Sequence, residues 1–543
     1  MISRGPLTQL VPVENAAMEN RTIIQWDKDD LAALGLLKID VLALGMLSAI
    51  RRSLHMMEKW YQKPFSISDI PPEDPKVYEM ISRADTIGVF QIESRAQMSM
   101  LPRMKPKCFY DLVIEVAIVR PGPIQGGMVH PYLARRQKKK PVTYPSIAVK
   151  KVLERTLGVP IFQEQVMQIA IVAAGFTPGE ADQLRRSMAA WKRRGGLGHF
   201  ERKLIQGMRD RGYSNTFAKQ IFQQILGFGE YGFPESHSAS FALLVYVSSW
   251  LKYHEPAVFT CALLNSQPMG FYGPSQLIQD AQRHKVIILP VDIQKSHREC
   301  HLTHIPNESK PAIQLGFNLI KNLSADAIEK IVIHRSEQLS IDQILKRAKL
   351  NKKDLHALAS SDALLNSIGN RHQANWWVNG LDLDPPDLFR DLPSTPENFE
   401  PPPPTKGENI IADYNSIGLT LREHPMRLLR SDLKKRRVIT AEAIKNLRGG
   451  QAARVVGIVT SRQRPSTSSG VVFVTLEDET GYINTIIWRD IASTQRQTLM
   501  SAQLLGVSGH IEKDGQVIHL IAKKLVDYSP LLGKLMTTSR DFH

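Results

Sequence analysis

The chain has 543 residues, 43% of them hydrophobic, and Lys plus Arg outnumber Asp plus Glu by 69 to 53, a formal net charge of +16. That length exceeds a single hydrophobic core and predicts about three to five structural units, while the charge predicts a polyanionic partner, nucleic acid before a membrane surface. No apolar run reaches the roughly 18 residues that cross a bilayer, "MISRGPLTQL" lacks the apolar block of a signal peptide, and Cys108, Cys261 and Cys300 are too scattered for a disulfide framework, so a cytoplasmic protein is expected.

Near the start, "QWDKDDLAALG" precedes a short helical turn, where Asp27 and Asp29 read as capping residues. "GLLKIDVLALGM", residues 35–46, reads as a buried strand with Lys38 and Asp40 on one face. A carboxylate and a lysine at the edge of a core fit an ion pair or, alternatively, a metal and phosphate site. One aspartate cannot by itself hold two Mg²⁺ ions about 4 Å apart for phosphoryl transfer.

Four stretches then combine Arg, Gly, Pro and Ser in ways that suit phosphate and sugar contacts: "GVFQIESR" (88–95), "VRPGPIQGGMVHPYLARRQKKK" (119–140), "QLRRSMAAWKRR" (183–194) and "FPESHSASFAL" (233–243). Arg120 precedes a rigid Pro-Gly-Pro turn that would hold its guanidinium at little entropic cost. Arg135, Arg136, Lys138, Lys139 and Lys140 form a basic cluster that is either a DNA contact or a solvated face. In "TPGEADQLRRSMAAW", Thr177 caps a helix, Pro178 takes the first position, Glu180 completes a capping box, and Gly195 and Gly196 end it. Leu184, Met188 and Trp191 share its apolar stripe. Arg186 and Arg193 lie two turns apart with Ala189 and Ala190 between them, small enough to admit a phosphate backbone.

"SHRECHLTH" gathers His297, Cys300, His301 and His304, but in no common zinc spacing and without a second ligand cluster. Between 312 and 366, short helical stretches joined by polar turns fit helix-hairpin-helix units or a plain helical bundle. Residues 384–409 read as an extended proline-rich linker, with Asp382 and Asp384 in a solvated turn at its start. Beyond it, five strand-like runs predict an OB-type barrel, or failing that a sandwich fragment. Motifs of serine hydrolases, P-loop NTPases and zinc proteases are absent.

The strings "GLLKIDVLALGM", "GVFQIESR", "EVAIVRPGPIQGGMVHPYL", "GVPIFQEQVMQIA", "ADQLRRSM" and "FPESHSASFALLVYVSSWLKYHEPAVF" resemble the C-family bacterial DNA polymerases, the alpha subunit of DNA polymerase III. The nearest likeness is to the error-prone ImuC-type paralogue, carried by "VVFVTLEDETGYINTIIW", "YSPLLG" and "SRDFH". It implies a multidomain α+β fold: a palm remnant (1–55), mainly helical fingers (56–290), helix-hairpin-helix elements (291–383), the linker (384–409) and a C-terminal OB-type β-barrel (410–543).

By resemblance, the activity is damage-induced translesion synthesis on primed template DNA from dNTPs with two Mg²⁺ ions. Asp40 matches one of three catalytic, metal-binding carboxylates, and Lys38 lies beside the incoming triphosphate. Arg185 and Arg186 match fingers arginines on that triphosphate, and His237 falls in a sugar-recognition region. Arg120, Arg135, Arg136, Lys138, Lys139, Lys140 and Arg193 are the expected DNA contacts. The implied partners are an ImuB-type protein and, through it, the sliding clamp, with no membrane. Two departures stand out. The PDxDxD-type motif carrying the family's other two aspartates is missing, and Asn322 in "LIKNLS" stands where a turn glycine is usual. The expectation is therefore a truncated product, a fragment or one half of a split polymerase, inactive without a separate N-terminal half. A non-catalytic DNA-binding scaffold of the damage response is the competing reading.

Overall fold

The computed structural model describes residues 3–16, 21–26, 28–34, 42–120, 123–124, 127–194, 198–227, 233–335, 339–381, 400–464, 470–514, 517–533 and 540–542. Its contacts divide the chain into two compact units, 1–44 and 45–543. In the first, β1 (Val13–Asn15) pairs antiparallel with β2 (Thr22–Ile24), Val13 opposite Ile24, and α1 (Lys28–Ala33) follows. Lys38 and Asp40, like Asp27, lie outside the described residues.

The strand expected over 35–46 does not run to its end. Ala43 takes φ +61°, and α2 (Leu44–Tyr61) opens at the next residue. The reason is legible in hindsight: Met46, Ala49, Ile50, Ser53 and Met57 recur every three or four residues and are buried together, a helical spacing that overrides the alternation before it.

The second unit is helical for its first two hundred or so residues. After α2 come α3 (Pro75–Ser82), α4 (Arg95–Met104), α5 (Phe109–Ile118), α6 (Val129–Arg136), α7 (Ile147–Leu153) and α8 (Gln163–Ala174). Then follow α9 (Pro178–Arg194), α10 (Gly198–Asp210), α11 (Asn215–Gly227), α12 (Glu235–His254), α13 (Pro256–Leu264) and α14 (Pro274–Arg283). Their axis is α5, every residue of which from Asp111 to Ile118 is buried. It packs along α12, and the Ser238 hydroxyl on α12 donates to the Val113 carbonyl. At about 1.5–3 kcal/mol for each large apolar side chain removed from water, this pair anchors the segment. None of the described helices is long and apolar enough to cross a membrane.

A small sheet follows, with β3 (Ile288–Leu289) and β4 (His301–Thr303) on either side of β5 (Ala312–Gln314). Next come α15 (Ala325–His334), α16 (Ile341–Ala348), α17 (Lys352–Ser360) and α18 (Arg371–Gly380). Ser324 caps α15, and its backbone N–H and hydroxyl both donate to Asp354 on α17, at 2.8 and 3.1 Å, which fixes one helix start against the other. Asn322 adopts φ +66°, the left-handed geometry that a turn glycine would supply.

Residues 406–409, read as the end of an extended linker, are instead the first turn of α19 (Lys406–Ser416). The Thr405 hydroxyl accepts from Glu408 N and the Glu408 carboxylate accepts from Thr405 N at 2.8 Å, a capping box that starts a helix directly after four prolines. With α20 (Pro425–Lys435) and the short α21 (Ala441–Ile444), this makes a helical preface to the barrel within the stretch assigned to it.

The barrel strands are β6 (Ala452–Gln463), β7 (Val472–Asp478), β8 (Gly481–Ile487), β9 (Leu504–Asp514) and β10 (Val517–Asp527). Their order β6-β7-β8-β10-β9 closes through a β6–β9 pairing, with only β8 and β10 parallel. A short β11 (Arg540–Phe542) lies parallel to β6 outside the closed circuit. Val455, Val474, Leu476, Val507 and Leu520 fill the interior at alternate positions. On the outer wall Val456 and Ile458 pack against Ile410, Met426 and Leu433 of α19 and α20.

Candidate nucleic-acid interface

The strongest convergence of predicted residues is at the start of α12. His237 lies in contact with Phe241 (ring centroids 4.4 Å) and edge-on to Phe233 (5.0 Å). The Arg120 guanidinium sits over the other ring in this group, 4.9 Å from the Phe233 centroid. Its Nη2 donates to Gln91 Oε1 at 2.6 Å and its Nε to the Val116 carbonyl at 3.1 Å. Three stretches distant in sequence, around Gln91, Arg120 and His237, are thereby held at one place by aromatic and cation–π contacts.

The basic helix α9 starts as expected. Glu180 N donates to the Thr177 hydroxyl at 3.3 Å and Thr177 N to the Glu180 carboxylate at 3.0 Å. Leu184 is buried, and Arg185 is held by Asp182, Nη2 to Oδ1 at 2.8 Å. Lys203 on α10 pairs with Glu180 and holds its carboxyl below the usual range. The side chains of Arg186 and Arg193 lie outside the described residues.

The basic cluster at 135–140 divides by role. Arg136, at the end of α6, ion-pairs with Asp111 and donates to the Met104 carbonyl at 3.1 Å; Arg135 donates to the Leu157 carbonyl at 2.7 Å. Lys138, Lys139 and Lys140 are exposed. Beneath them runs a groove of about 1040 Å³, to which the sequence reading had not assigned Arg103, Lys105 and Lys107. Arg103 pairs across it with Asp514 of β9 at 3.2 Å. One helical turn past Asp111, Glu115 is fully buried, and neither carboxylate oxygen has a hydrogen-bond partner among the described residues. Burial pushes its carboxyl up to about 8.

Among the described residues, one group has the spacing to hold a metal ion: Asp85, Asp280 and His284. The Lys252 ammonium already fills that position, bound to Asp280, 3.4 Å from Asp85 and donating to the Ile87 carbonyl at 3.0 Å. Burial opposes ionisation of Asp85, but the hydrogen bond from His284 and the charge of Lys252 prevail and bring it down to about 2. The bond to Asp85 in turn raises His284. A divalent ion has no place beside a buried ammonium, so these residues form a structural ion network and do not fit a metal centre. The histidine and cysteine group also has other duties. Cys300 Sγ accepts from Gly316 N at 3.4 Å, and His304 stacks on Trp60 at 3.9 Å.

Comparison with known proteins follows the same order along the chain. Family models match for the bacterial DNA polymerase III alpha subunit NTPase domain (residues 1–43) and finger domain (46–212), a helix-hairpin-helix motif (285–374) and an OB-fold nucleic acid binding domain (453–528). The whole chain aligns at 57% identity with the error-prone DNA polymerase of Alkalilimnicola ehrlichii, covering 53% of it. It aligns at 55% with that of Methylococcus capsulatus and at 56% with that of Pseudomonas fluorescens Pf-5, covering 54% of each. Over its whole length the chain is similar to proteins named error-prone DNA polymerase. It spans about half the length of the curated relatives it matches. Asp40, the residue that the resemblance assigns to a metal ion, lies outside the described residues.

Proposed function

We propose that this chain is the substrate-holding part of an error-prone DNA polymerase that extends a primer from dNTPs in translesion synthesis. The observation that carries this is the end-to-end match to proteins named error-prone DNA polymerase, with finger, helix-hairpin-helix and OB models in order. In this reading residues 1–55 belong to a palm, 56–290 to fingers and 291–383 to a helix-hairpin-helix region, with the barrel closing the chain. Phosphoryl transfer asks a protein mainly for positioning and charge neutralisation. Lys38, Arg185 and Arg186 would take the triphosphate, and His237 the sugar. Arg120 and Arg193, with Lys138, Lys139 and Lys140, would take DNA phosphates. The fixed packing of Arg120 and His237 around Phe233 supports such preorganisation.

Asp40 would bind Mg²⁺, supplying a Lewis acid for the triphosphate, but two such ions need more carboxylates than this one. The PDxDxD-bearing part of the family would complete the site, and an ImuB-type partner would bring the assembly to the clamp in the cytoplasm. The test is single-nucleotide primer extension with Mg²⁺ by the chain alone, with an N-terminal half added, and with Asp40→Ala. The expected result is no incorporation alone, synthesis on adding the half, and its loss in the variant. Continued inactivity of a folded, matched pair that still binds primed DNA would overturn the polymerase reading in favour of the scaffold.

A further inference from the structure

OB barrels hold oligonucleotides on the outward face of their second and third strands. Here those strands are β7 and β8, and much of that face is occupied by the protein itself. Thr475 and Glu477 point outward from β7, yet each is only 3% exposed. Thr475 accepts from Arg95 of α4 at 3.0 Å, and Glu477 accepts from Gln279 of α14 at 2.7 Å and pairs with His424 at 3.0 Å. Tyr482 on β8 lies under two guanidinium groups, those of Arg95 (5.1 Å) and Arg283 (4.8 Å). A strand of nucleic acid cannot take this face without displacing two helices of the preceding region.

On another wall, where β6 meets β9 and α20 ends, runs an open groove of about 910 Å³. Lys435, Arg436, Arg437, Arg454, His510 and Lys523 line it, and no acidic residue is among its lining. Arg436, Arg437, Arg454 and Lys523 are exposed. Arg454 is braced across the floor, donating to Ser508 Oγ and to the Arg436 carbonyl, both at 3.2 Å. His510 Nδ1 is buried with no hydrogen-bond partner among the described residues. Gly509 keeps the floor closed, because a Cβ there would stand 1.9 Å from the Ile521 carbonyl oxygen. The walls offer cations and backbone, with no Phe, Tyr or Trp among the lining residues, which suits phosphates rather than stacked bases.

We infer that the barrel holds the phosphate backbone of single-stranded nucleic acid in this β6–β9 groove, while its β7–β8 face serves as the dock for the helical region. The inference rests on the DNA-handling role proposed above and adds where the barrel does its share. Binding there is independent of sequence and strongly salt-dependent.

The test is fluorescence anisotropy of a labelled oligothymidylate with the full chain and with the double variant Arg437→Glu, Lys523→Glu, over a series of salt concentrations. The expected result is about a tenfold loss of affinity, with the slope of log K against log salt shallower by about 1.4, two contacts at about 0.7 each. Photo-crosslinking with a thiothymidine-substituted strand checks the site independently of the variant's folding, and the expected adducts fall on β6, β9 or the 435–437 turn. Wild-type binding that the double variant leaves intact, or adducts confined to Phe473 and Ile486 on the β7–β8 face, would overturn the inference and leave the polymerase reading standing. A variant that loses duplex binding but keeps single-strand affinity would overturn it too. No binding of single strands by the wild-type chain would overturn both.

Discussion

The groove below α6 and the groove beside α20 are both basic, but they use their charge differently. In the first, Arg136 and Arg135 are drawn inward to Asp111 and the Leu157 carbonyl, and Arg103 is tied to Asp514, so the arginines build the wall and the lysines are left to solvent. In the second, the lining carries no acid, and Arg437 and Lys523 face solvent. The difference teaches that a run of positive charge in a sequence is two populations: residues that the fold consumes and residues that it displays.

The largest effect that would test this contrast is Arg136→Ala, which strands a nearly buried Asp111. About 3 kcal/mol of stability should be lost, read as a lower denaturation midpoint, because the buried Asp111 carboxylate would lose its charged partner and keep the Lys107 N–H. A loss below about 1 kcal/mol would move Arg136 into the displayed population.

The neighbouring carboxyl supplies the next. Glu115 has a folded value of about 8 against an ordinary value of 4.5, so the unfolded chain ionises it first. It therefore adds no ionisation penalty below about pH 4.5, progressively more as pH rises, and its full penalty above about pH 8. Wild type should lose about 2–3 kcal/mol relative to Glu115→Met between pH 5 and pH 9, about half of what 1.4 kcal/mol per pH unit would give, once relaxation is allowed for. Parallel pH profiles of the two proteins would show that Glu115 is paired.

At the other groove, Arg437→Ala should change stability by no more than about 0.5 kcal/mol, which is the behaviour of a displayed residue. The smallest effect is that of Lys139→Ala. It should leave unfolding untouched and weaken binding of primed DNA by about twofold to threefold, with the salt slope reduced by about 0.9 on the duplex part. If Lys139→Ala destabilised the fold as Arg136→Ala does, the division within that cluster would collapse.

What the sequence disclosed follows from the range of the forces involved. The five barrel strands and the α9 capping box depend on alternation and on residues three apart, so both were readable. The α19 start was equally local, since Thr405 and Glu408 stand in plain view, but the run of prolines before them drew the eye to an extended chain. The fate of Arg135 and Arg136 was not readable. Their partners lie more than twenty residues away, and only the packing of α6 against α4, with Asp111 and the Leu157 carbonyl brought alongside, decides which cations turn inward. The same holds for Lys252, whose partners Asp85 and Asp280 come from opposite sides of α12 in sequence. Asn322 shows the converse: a residue that looked like a departure keeps the backbone geometry of the glycine it replaces. Alternation singled out Lys38 and Asp40 but left an ion pair and a metal and phosphate site both open, and their catalytic assignment came by resemblance.

One ion network changes how the proline-rich stretch should be regarded. Arg371, only 4% exposed, binds Asp362 at 2.5 Å on its own side of residues 382–399 and Asp413 at 2.6 Å on the far side, and Arg422 reaches back to Asp362. The segments before and after residues 382–399 are joined by charge as well as by the covalent chain. Two polypeptides, 1–381 and 400–543, should therefore associate when made together, and Arg371→Ala should weaken that association, read by size-exclusion chromatography.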